Sequence, residues 1–365
     1  MAWDMDDKPL LVFWETTRAC DLACQHCRAS AISQALPGEL THQEGVALID
    51  QVAAFGDPAP LLVLTGGDVL KRARLFDLIT YARGLGLVVS VSPSVTPLLS
   101  HAVLDRWRSL GVAAISISLD GATPSTHDGV RRVPGTWLRS FELIRYAVGI
   151  GLKVQINSAV MASNLMELPA LFQSIAEVPV HIWEVFFLVK TGRGRGVQES
   201  TAAENEAVCH FLYQAGRYGI TVRTVEGPFF RRLVRAYETD TAEPPDSLAE
   251  TLIKDLHRRV GPPVERPRVR SAGTRDGRGI VFVSHDGNIS PSGFLPLAVE
   301  NIRRAPLPVV YRTDRLFRAL RSLTPGTISG PCGTCEALAI CGGSRARAWA
   351  HYGDPLASDP ACIRA

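Results

Sequence analysis

The sequence predicts an α/β fold, a partial (β/α)6 barrel of the TIM type, followed by a small α+β extension. Between residues 8 and 190, six short apolar runs rich in β-branched residues alternate with segments of helical periodicity, a pattern typical of parallel βα units. Six units are fewer than the eight that close a full barrel, so we expect an open one. The polar clusters "TTRAC", "TGGD", "SPSVT", "SLDG" and "NS" each belong to the end of a strand, where such folds collect their chemistry.

The individual elements follow from these runs. Strands are predicted at 10–16, 61–67, 87–94, 113–121, 153–160 and 181–189, and helices at 41–55, 71–85, 100–110, 136–150, 164–177 and 203–218. We assign residues 1–240 to the barrel. Residues 241–276 are rich in Pro, Arg and Gly and are predicted to be a linker. Residues 277–365 form the extension, with a hairpin turn at Asp286-Gly287-Asn288 and a helix near 312–322.

Composition limits the possible classes of protein. The 365 residues are 46% hydrophobic and 21% charged, which is ordinary for a globular protein. A net charge of +3 gives no argument for a nucleic-acid partner. No apolar run reaches the ~20 residues of a membrane span, and the acidic N-terminus lacks a signal-peptide layout, so we expect a cytoplasmic protein without a membrane partner. Clustering among the eight cysteines indicates metal or redox chemistry rather than disulfides.

Three cysteines lie on the loop after the first predicted strand, in the stretch "CDLACQHC". Cys20, Cys24 and Cys27 could hold three irons of a cubane cluster and leave the fourth iron open. The alternatives are three buried thiols or a zinc site, although zinc usually takes four ligands. The spacing resembles the C-x3-C-x2-C motif of the radical S-adenosylmethionine (SAM) superfamily. This resemblance implies a [4Fe–4S] cluster whose open iron binds SAM, reductive cleavage to a 5′-deoxyadenosyl radical, and hydrogen abstraction from a substrate.

The resemblance extends to the end of the second strand. Gly66, Gly67 and Asp68 in "LTGGD" resemble the family's glycine-glycine-acid motif, which holds the methionyl amino group of SAM. Glycines let the backbone approach a ligand closely, and an acid can accept a hydrogen bond from an ammonium group. Taken alone, the same three residues could be an ordinary turn.

Further cofactor contacts are predicted at the ends of later strands. Ser118 and Asp120 in "ISISLDG" could bind ribose hydroxyls, and Arg131 in "HDGVRR" resembles a family arginine that neutralises the cofactor carboxylate. The alternative for Arg131 is a surface arginine. Ser94 and Asn157 are additional candidates, unless they are satisfied polar groups of the core.

A second cysteine group closes the chain. Cys332-x2-Cys335-x5-Cys341 and Cys362 resemble the SPASM and twitch extensions, which carry auxiliary [4Fe–4S] clusters; a zinc ribbon is the alternative. Ser292 stands where relatives with two auxiliary clusters have a cysteine, and Ser344 stands where some relatives have one. We therefore expect one such cluster, fully ligated by protein and suited to electron transfer. The remaining cysteine, Cys209, lies at helical spacing and is predicted to be a core thiol.

"CGGSRARA" and "DPAC" place the resemblance closest to the subgroup of the haem-pathway decarboxylase, haem d1 synthesis enzymes and peptide maturases. The leading hypothesis is a redox enzyme acting on a tetrapyrrole or another carboxylate-bearing small molecule, by oxidative decarboxylation or dehydrogenation, with flavodoxin or ferredoxin as reducing partner. No peptide-recognition domain precedes residue 8, which favours a small molecule over the alternative, a maturase that crosslinks or epimerises a peptide. A non-catalytic iron–sulfur or zinc protein is the alternative of another class.

The same hypothesis suggests where a substrate could bind. Arg193, Arg195, Arg231 and Arg232 could bind substrate carboxylates, unless they form a solvated basic loop. No residue is assigned as a catalytic acid or base.

Overall fold

A computed structural model describes residues 3–270 and 273–365. The strands in chain order are β1 (Leu11–Glu15), β2 (Leu61–Thr65), β3 (Val89–Val91), β4 (Ala114–Ser118), β5 (Val154–Val160), β6 (Ile182–Phe187), β7 (Thr221–Val225), β8 (Ile280–Val283), β9 (Asn288–Ser290) and β10 (Glu300–Asn301). The helices are α1 (His42–Ala53), α2 (Leu75–Gly84), α3 (His101–Ser109), α4 (Pro124–Arg131), α5 (Thr136–Gly149), α6 (Leu168–Ala176), α7 (Ala202–Ala215), α8 (Phe229–Glu238), α9 (Ser247–Val260), α10 (Leu307–Thr313), α11 (Arg315–Arg321), α12 (Pro331–Thr334) and α13 (Arg345–Tyr352). Short 3-10 turns occupy Val69–Lys71, Leu165–Glu167 and Gly192–Gly196.

In the described residues, the strands form a single sheet in the order β10-β9-β8-β1-β2-β3-β4-β5-β6-β7. Each neighbouring pair from β1 to β7 is parallel, β8 pairs parallel to the free edge of β1, and β9 and β10 add antiparallel. The predicted α/β partial barrel is confirmed. The sequence analysis had not assigned β7, because its sequence "TVRTV" buries only Val222 and lacks a continuous apolar run. The hairpin predicted at Asp286-Gly287-Asn288 joins β8 to β9.

The core lies between the outer face of the strands and the helices. Strands β4, β5 and β6 bury every second residue on that face, and the fully buried Trp14, Trp107 and Trp183 belong to the same apolar cluster. Alternation in a strand sends the intervening side chains to the inner face of the barrel. Helices α1 and α7 begin at capping boxes, which satisfy backbone N–H groups of the first turn.

The segment predicted to be a Pro/Arg-rich linker, 241–276, contains helix α9. Its residues Leu252 and Leu256 lie in the main apolar core, and Asp246 caps its first turn by accepting a hydrogen bond from the Ala249 N–H at 2.7 Å. The Pro-rich flanks dominate the composition of the segment and mask the helical period within it. The helix predicted near 312–322 is divided into α10 and α11 at Asp314, which caps α11. The division of the chain at residues 240 and 277 stays a prediction.

No helix in the described residues is both long enough and apolar enough to cross a membrane.

One buried arginine ties α13 to the ends of β6 and β7. The Arg347 side chain is 2% exposed and lies against Asp359, with Nη1 to carboxylate distances of 3.2 and 3.3 Å. Its Nη2 donates to the backbone carbonyls of Leu188 at 3.1 Å and Glu226 at 2.8 Å. The guanidinium therefore holds the extension to the carboxyl edge of the sheet.

Replacing Arg347 by Ala should lower the free energy of unfolding by about 3–5 kcal/mol, because the buried Asp359 carboxylate would lose its counter-charge. Thermal unfolding of anaerobically prepared protein measures the loss. Lys254→Ala is the matched control, since Lys254 and its partner Glu250 are 75% and 50% exposed and such pairs contribute about 0–1 kcal/mol. Equal effects of the two substitutions would contradict this role of Arg347.

Candidate functional site

The first three cysteines come together in the loop that follows β1. Cys20, Cys24 and Cys27 form a small cluster with Leu22 and Ala31, and none is in a disulfide. The loop is closed by backbone hydrogen bonds, including the Cys27 N–H to the Cys24 carbonyl at 3.3 Å. This arrangement presents three thiol groups on one short turn, which is the donor set that an iron–sulfur cluster uses.

Two glycines allow the end of β2 to lie against this loop. A Cβ on Gly67 would stand 2.4 Å from the Ala19 carbonyl oxygen, and one on Gly66, at φ +156°, would stand 2.6 Å from the Thr17 oxygen. The Gly67 N–H donates to the Thr17 carbonyl at 2.7 Å. Larger residues would push the loop away, so the predicted motif and the cysteines are placed together.

Asp68, the acidic residue of this motif, makes its hydrogen bonds to groups within the protein. Asp68 is fully buried, and its two carboxylate oxygens accept from the Leu70 N–H at 3.0 Å and the Thr96 hydroxyl at 2.6 Å. Burial raises the pKa of Asp68 from its ordinary value. Its carboxylate therefore stabilises the turn after β2. Ser94 stands beside both features, since its hydroxyl donates to the Gly67 carbonyl at 2.6 Å and lies 3.4 Å from Cys20 Sγ.

Arg131 faces the cysteine loop from the end of α4. Its Nη1 donates to Cys24 Sγ at 3.6 Å, and its side chain is 13% exposed, so the surface-arginine alternative is wrong. Asp120, 1% exposed, forms an ion pair with Arg131 and lies 3.1 Å from His26 Nε2. Burial alone would raise the pKa of Asp120, but the charges of Arg131 and His26 hold it well below its usual range. The carboxylate is thus the buried counter-ion that positions Arg131, which places a positive charge beside Cys24 Sγ.

Ser118 and Asn157 lie side by side on the inner face of the barrel. The register pairs Ser118 of β4 with Asn157 of β5, and Asn157 with Glu184 of β6. Arg223 of β7 continues the same row. The structure therefore places both predicted residues in a polar row that crosses four adjacent strands.

Three residues that the sequence analysis missed connect the cysteine loop to the extension. Arg28, directly after Cys27, lies 3.0 Å from the buried Glu15 carboxylate, which also lies 3.0 Å from His285 Nδ1. The Arg28 guanidinium stands 4.6 Å from the ring centroid of Phe282. Only the position of Arg28 beside the motif could have indicated this network, because its partners are distant in sequence.

The four predicted substrate arginines have different environments. Arg193 donates to two backbone carbonyls of the cysteine loop, at 2.8 and 2.7 Å, so it fixes that loop. Arg232 lines the cavity of the second cysteine group. Arg231 is half-buried and donates to a backbone carbonyl of residue 274, and Arg195 is exposed. The four arginines therefore do not form a single solvated basic loop.

The last four cysteines share one cavity. Cys332, Cys335, Cys341 and Cys362 line it together with Arg232, and none is in a disulfide. In the described residues, no three His, Cys, Asp or Glu side chains meet at the position of a single metal ion. Four thiols around a cavity are the donor set of a fully ligated [4Fe–4S] cluster.

The two serines that stand at expected cysteine positions are engaged in hydrogen bonds. The Ser292 hydroxyl accepts from the N–H groups of Phe294 and Leu295 at 3.2 and 3.1 Å. The Ser344 hydroxyl donates to the carboxylate of Glu226 and caps α13. Burial and the nearby charge of Asp276 raise the pKa of Glu226 from its ordinary 4.5 to about 8.

Comparison with known proteins identifies the family. Residues 14–173 match the radical SAM superfamily, and the chain is 34% identical over 357 residues to an AdoMet-dependent heme synthase of Nitratidesulfovibrio vulgaris, covering 96% of this chain and 91% of that protein. The chain belongs to the radical SAM superfamily. As a radical SAM protein it is an enzyme, and its family uses SAM with a [4Fe–4S] cluster.

Two further radical SAM relatives match at lower identity. An Fe-coproporphyrin III synthase of Methanosarcina barkeri is 29% identical, covering 99% of this chain and 89% of the relative. A PqqA peptide cyclase of Ruegeria pomeroyi is 25% identical, covering 98% and 87%. The structure of Streptococcus suis SuiB bound to S-adenosylmethionine has a TM-score of 0.67 at 14% identity, covering 98% of this chain and 78% of SuiB, which shows a shared fold.

Glu226→Gln should alter the dependence of stability on pH. Between pH 4.5 and about 8 the folded state keeps a proton on Glu226 that the unfolded chain has lost, so the wild type loses stability as pH rises through this window. A glutamine does not ionise and can still accept from Ser344, so the stability of the variant relative to wild type should rise by roughly 4 kcal/mol between pH 5 and pH 8.5.

Thermal unfolding at both pH values provides the measurement. Glu336→Gln, at a side chain that is 84% exposed, should show no such pH-dependent difference. A Glu226→Gln curve parallel to the wild-type curve would mean that Glu226 ionises normally.

Proposed function

We propose that this radical SAM enzyme removes hydrogen from a carboxylate-bearing tetrapyrrole, in an oxidative decarboxylation or dehydrogenation. The observation that carries the proposal is the similarity to a heme synthase over 96% of the chain. The Fe-coproporphyrin III synthase relative supports the same substrate class.

The first cysteine group is proposed to hold the SAM-binding cluster. Cys20, Cys24 and Cys27 would supply three ligands, and the cluster supplies the electron for SAM cleavage when bound. The proposed cofactor-binding residues are Gly66, Gly67, Asp68, Ser94, Ser118, Asp120, Arg131 and Asn157. Within this set, Arg131 carries the positive charge beside Cys24. Asp120 and Asp68 act by positioning, because their carboxylates are buried against partners within the protein.

The second cysteine group is proposed to hold one auxiliary [4Fe–4S] cluster on Cys332, Cys335, Cys341 and Cys362, which would accept the electron left on the substrate. All four thiols line one cavity, so no ligand position is left for substrate. Zinc remains the competing occupant. Flavodoxin or ferredoxin is the proposed reducing partner.

A peptide substrate is the second candidate, favoured by the similarity to a PqqA peptide cyclase. That identity is 25%, compared with 34% for the heme synthase, so we place the tetrapyrrole first.

Cys24→Ala should abolish 5′-deoxyadenosine formation, because three thiolates are needed to hold the SAM-binding cluster. Chromatography after incubation of dithionite-reduced protein with SAM provides the measurement. Cys209→Ala is the control, since Cys209 is fully buried in α7 and should keep wild-type cleavage. Wild-type cleavage by the Cys24 variant would refute the assignment of the cluster.

Cys335→Ala should spare 5′-deoxyadenosine formation but block product formation from Fe-coproporphyrin III, since the substrate electron would lack its acceptor. Iron content should fall from about eight to about four atoms per chain. Circular dichroism must show a folded variant, because metal binding and folding are coupled in such sites. Zinc in wild-type protein, or normal product from the folded variant, would overturn the auxiliary role.

A further inference from the structure

The inner face of the barrel carries a linked set of polar side chains on β5, β6 and β7. Asn157 is in register with Glu184, and Glu184 with Arg223; Gln155 lies two residues before Asn157 on the same face. The neighbours in sequence, such as Trp183 and Val222, are fully buried in the core on the opposite face. The polar set therefore faces the interior that a substrate must enter.

Gln155 and Glu184 fix the guanidinium of Arg223. The Gln155 carbonyl oxygen accepts from Arg223 Nη2 at 2.6 Å, and the Gln155 amide donates to Glu184 Oε2 and to Asn157 Oδ1, both at 2.7 Å. Arg223 Nε lies 3.2 Å from Glu184 Oε1. Every strong donor and acceptor of Gln155 is occupied, so the amide sets the orientation of its two charged neighbours.

Arg223 nevertheless keeps free binding capacity. In the part of the chain that the structure describes, its Nη1 has no hydrogen-bond acceptor and can bind a ligand, whereas its Nε is buried beside the Glu184 carboxylate. The side chain is 35% exposed, whereas that of Glu184 is 18% exposed. Burial raises the pKa of Glu184 although Arg223 opposes the shift.

The surroundings suit a ligand with an apolar body and an acidic group. Phe186 is two residues beyond Glu184 on the same face of β6, and its ring centroid lies 6.1 Å from that of Phe294 in the extension. The polar row also reaches Ser118 and Asn157, which belong to the proposed cofactor-binding set. A ligand held at Arg223 would thus lie on the same inner face as these cofactor contacts, two strands from Asn157.

We propose that Arg223, oriented by Gln155 and Glu184, binds a carboxylate of the substrate, while Phe186 and Phe294 contact its apolar body. A guanidinium with free donors binds a carboxylate by charge-assisted hydrogen bonds. This inference rests on the proposed function in taking a carboxylate-bearing tetrapyrrole as the substrate.

The test compares two iron porphyrins that differ only in their acidic groups. Fe-coproporphyrin III carries four propionates, and the iron complex of etioporphyrin III carries ethyl groups instead. Their binding to reconstituted full-length enzyme is followed by quenching of tryptophan fluorescence, without reductant, so that no turnover is needed. Arg223→Gln should weaken Fe-coproporphyrin III binding by about tenfold or more and leave etioporphyrin binding unchanged.

Two further variants separate binding from structure. Glu184→Gln keeps an acceptor for Gln155 and removes the competing negative charge, so it should bind Fe-coproporphyrin III as tightly as wild type or more tightly. If the row were purely structural, this variant would lose affinity as Arg223→Gln does. Arg258→Gln, on α9 and 75% exposed, is the control and should bind as wild type.

The outcomes distinguish the two proposals. Unchanged Fe-coproporphyrin III affinity in Arg223→Gln, or equal loss of both porphyrins, overturns the role of Arg223 and leaves the proposed function standing. Wild-type enzyme that binds neither porphyrin overturns the tetrapyrrole substrate class and this inference with it. Cleavage of SAM by dithionite-reduced Arg223→Gln should remain at the wild-type rate, which shows that the first cysteine loop is intact.

Discussion

The parallel pairing of β1 with strands on both of its edges is the constraint on which the site depends. β2 lies on one side of β1, where Leu11 pairs with Leu61, and β8 lies on the other side, where Leu11 pairs with Ile280. The loop after β1 is thereby enclosed between the glycines that follow β2 and the hairpin that follows β8. Parallel strands end at the same edge, so three segments distant in sequence meet around Cys20, Cys24 and Cys27.

Buried charges then fix what the sheet brings together. Arg131 with Asp120 beside the first cysteine group, and Arg347 with Asp359 in the extension, are each almost fully removed from solvent. Burying an ion pair costs desolvation energy that the attraction repays only with good geometry, so such pairs contribute little to net stability. Removing one partner is far more unfavourable, and the pairs therefore specify position. They hold a cation at Cys24 and hold α13 against β6 and β7.

Sequence reasoning identified features whose signal is local and missed contacts whose partner is distant in sequence. The cysteine spacing, the glycines after β2 and six of the seven parallel strands of the barrel are encoded within short windows. Arg193 contacts the Cys24 carbonyl across 169 residues, and no local pattern could have distinguished it from a solvated arginine. Asp120 could be recognised as a polar residue at a strand end, but its contacts with Arg131 and His26 depend on how the chain packs. Helix α9 was missed because Pro-rich flanks set the composition around it.

In the extension, Ser292 and Ser344 occupy positions where cysteines were expected, and both serines are engaged in hydrogen bonds. Ser292 accepts two backbone N–H groups at the hairpin, and Ser344 both caps α13 and donates to Glu226. A metal-bound thiolate could not make these hydrogen bonds in the same way, because Ser344 acts as a donor here. Glu226 directly follows β7, and its carboxyl lies near Asp276 in a buried setting that favours the protonated form. Both serines are thus engaged in hydrogen bonds within the protein, and Cys332, Cys335, Cys341 and Cys362 are the thiols that line the cavity of the extension.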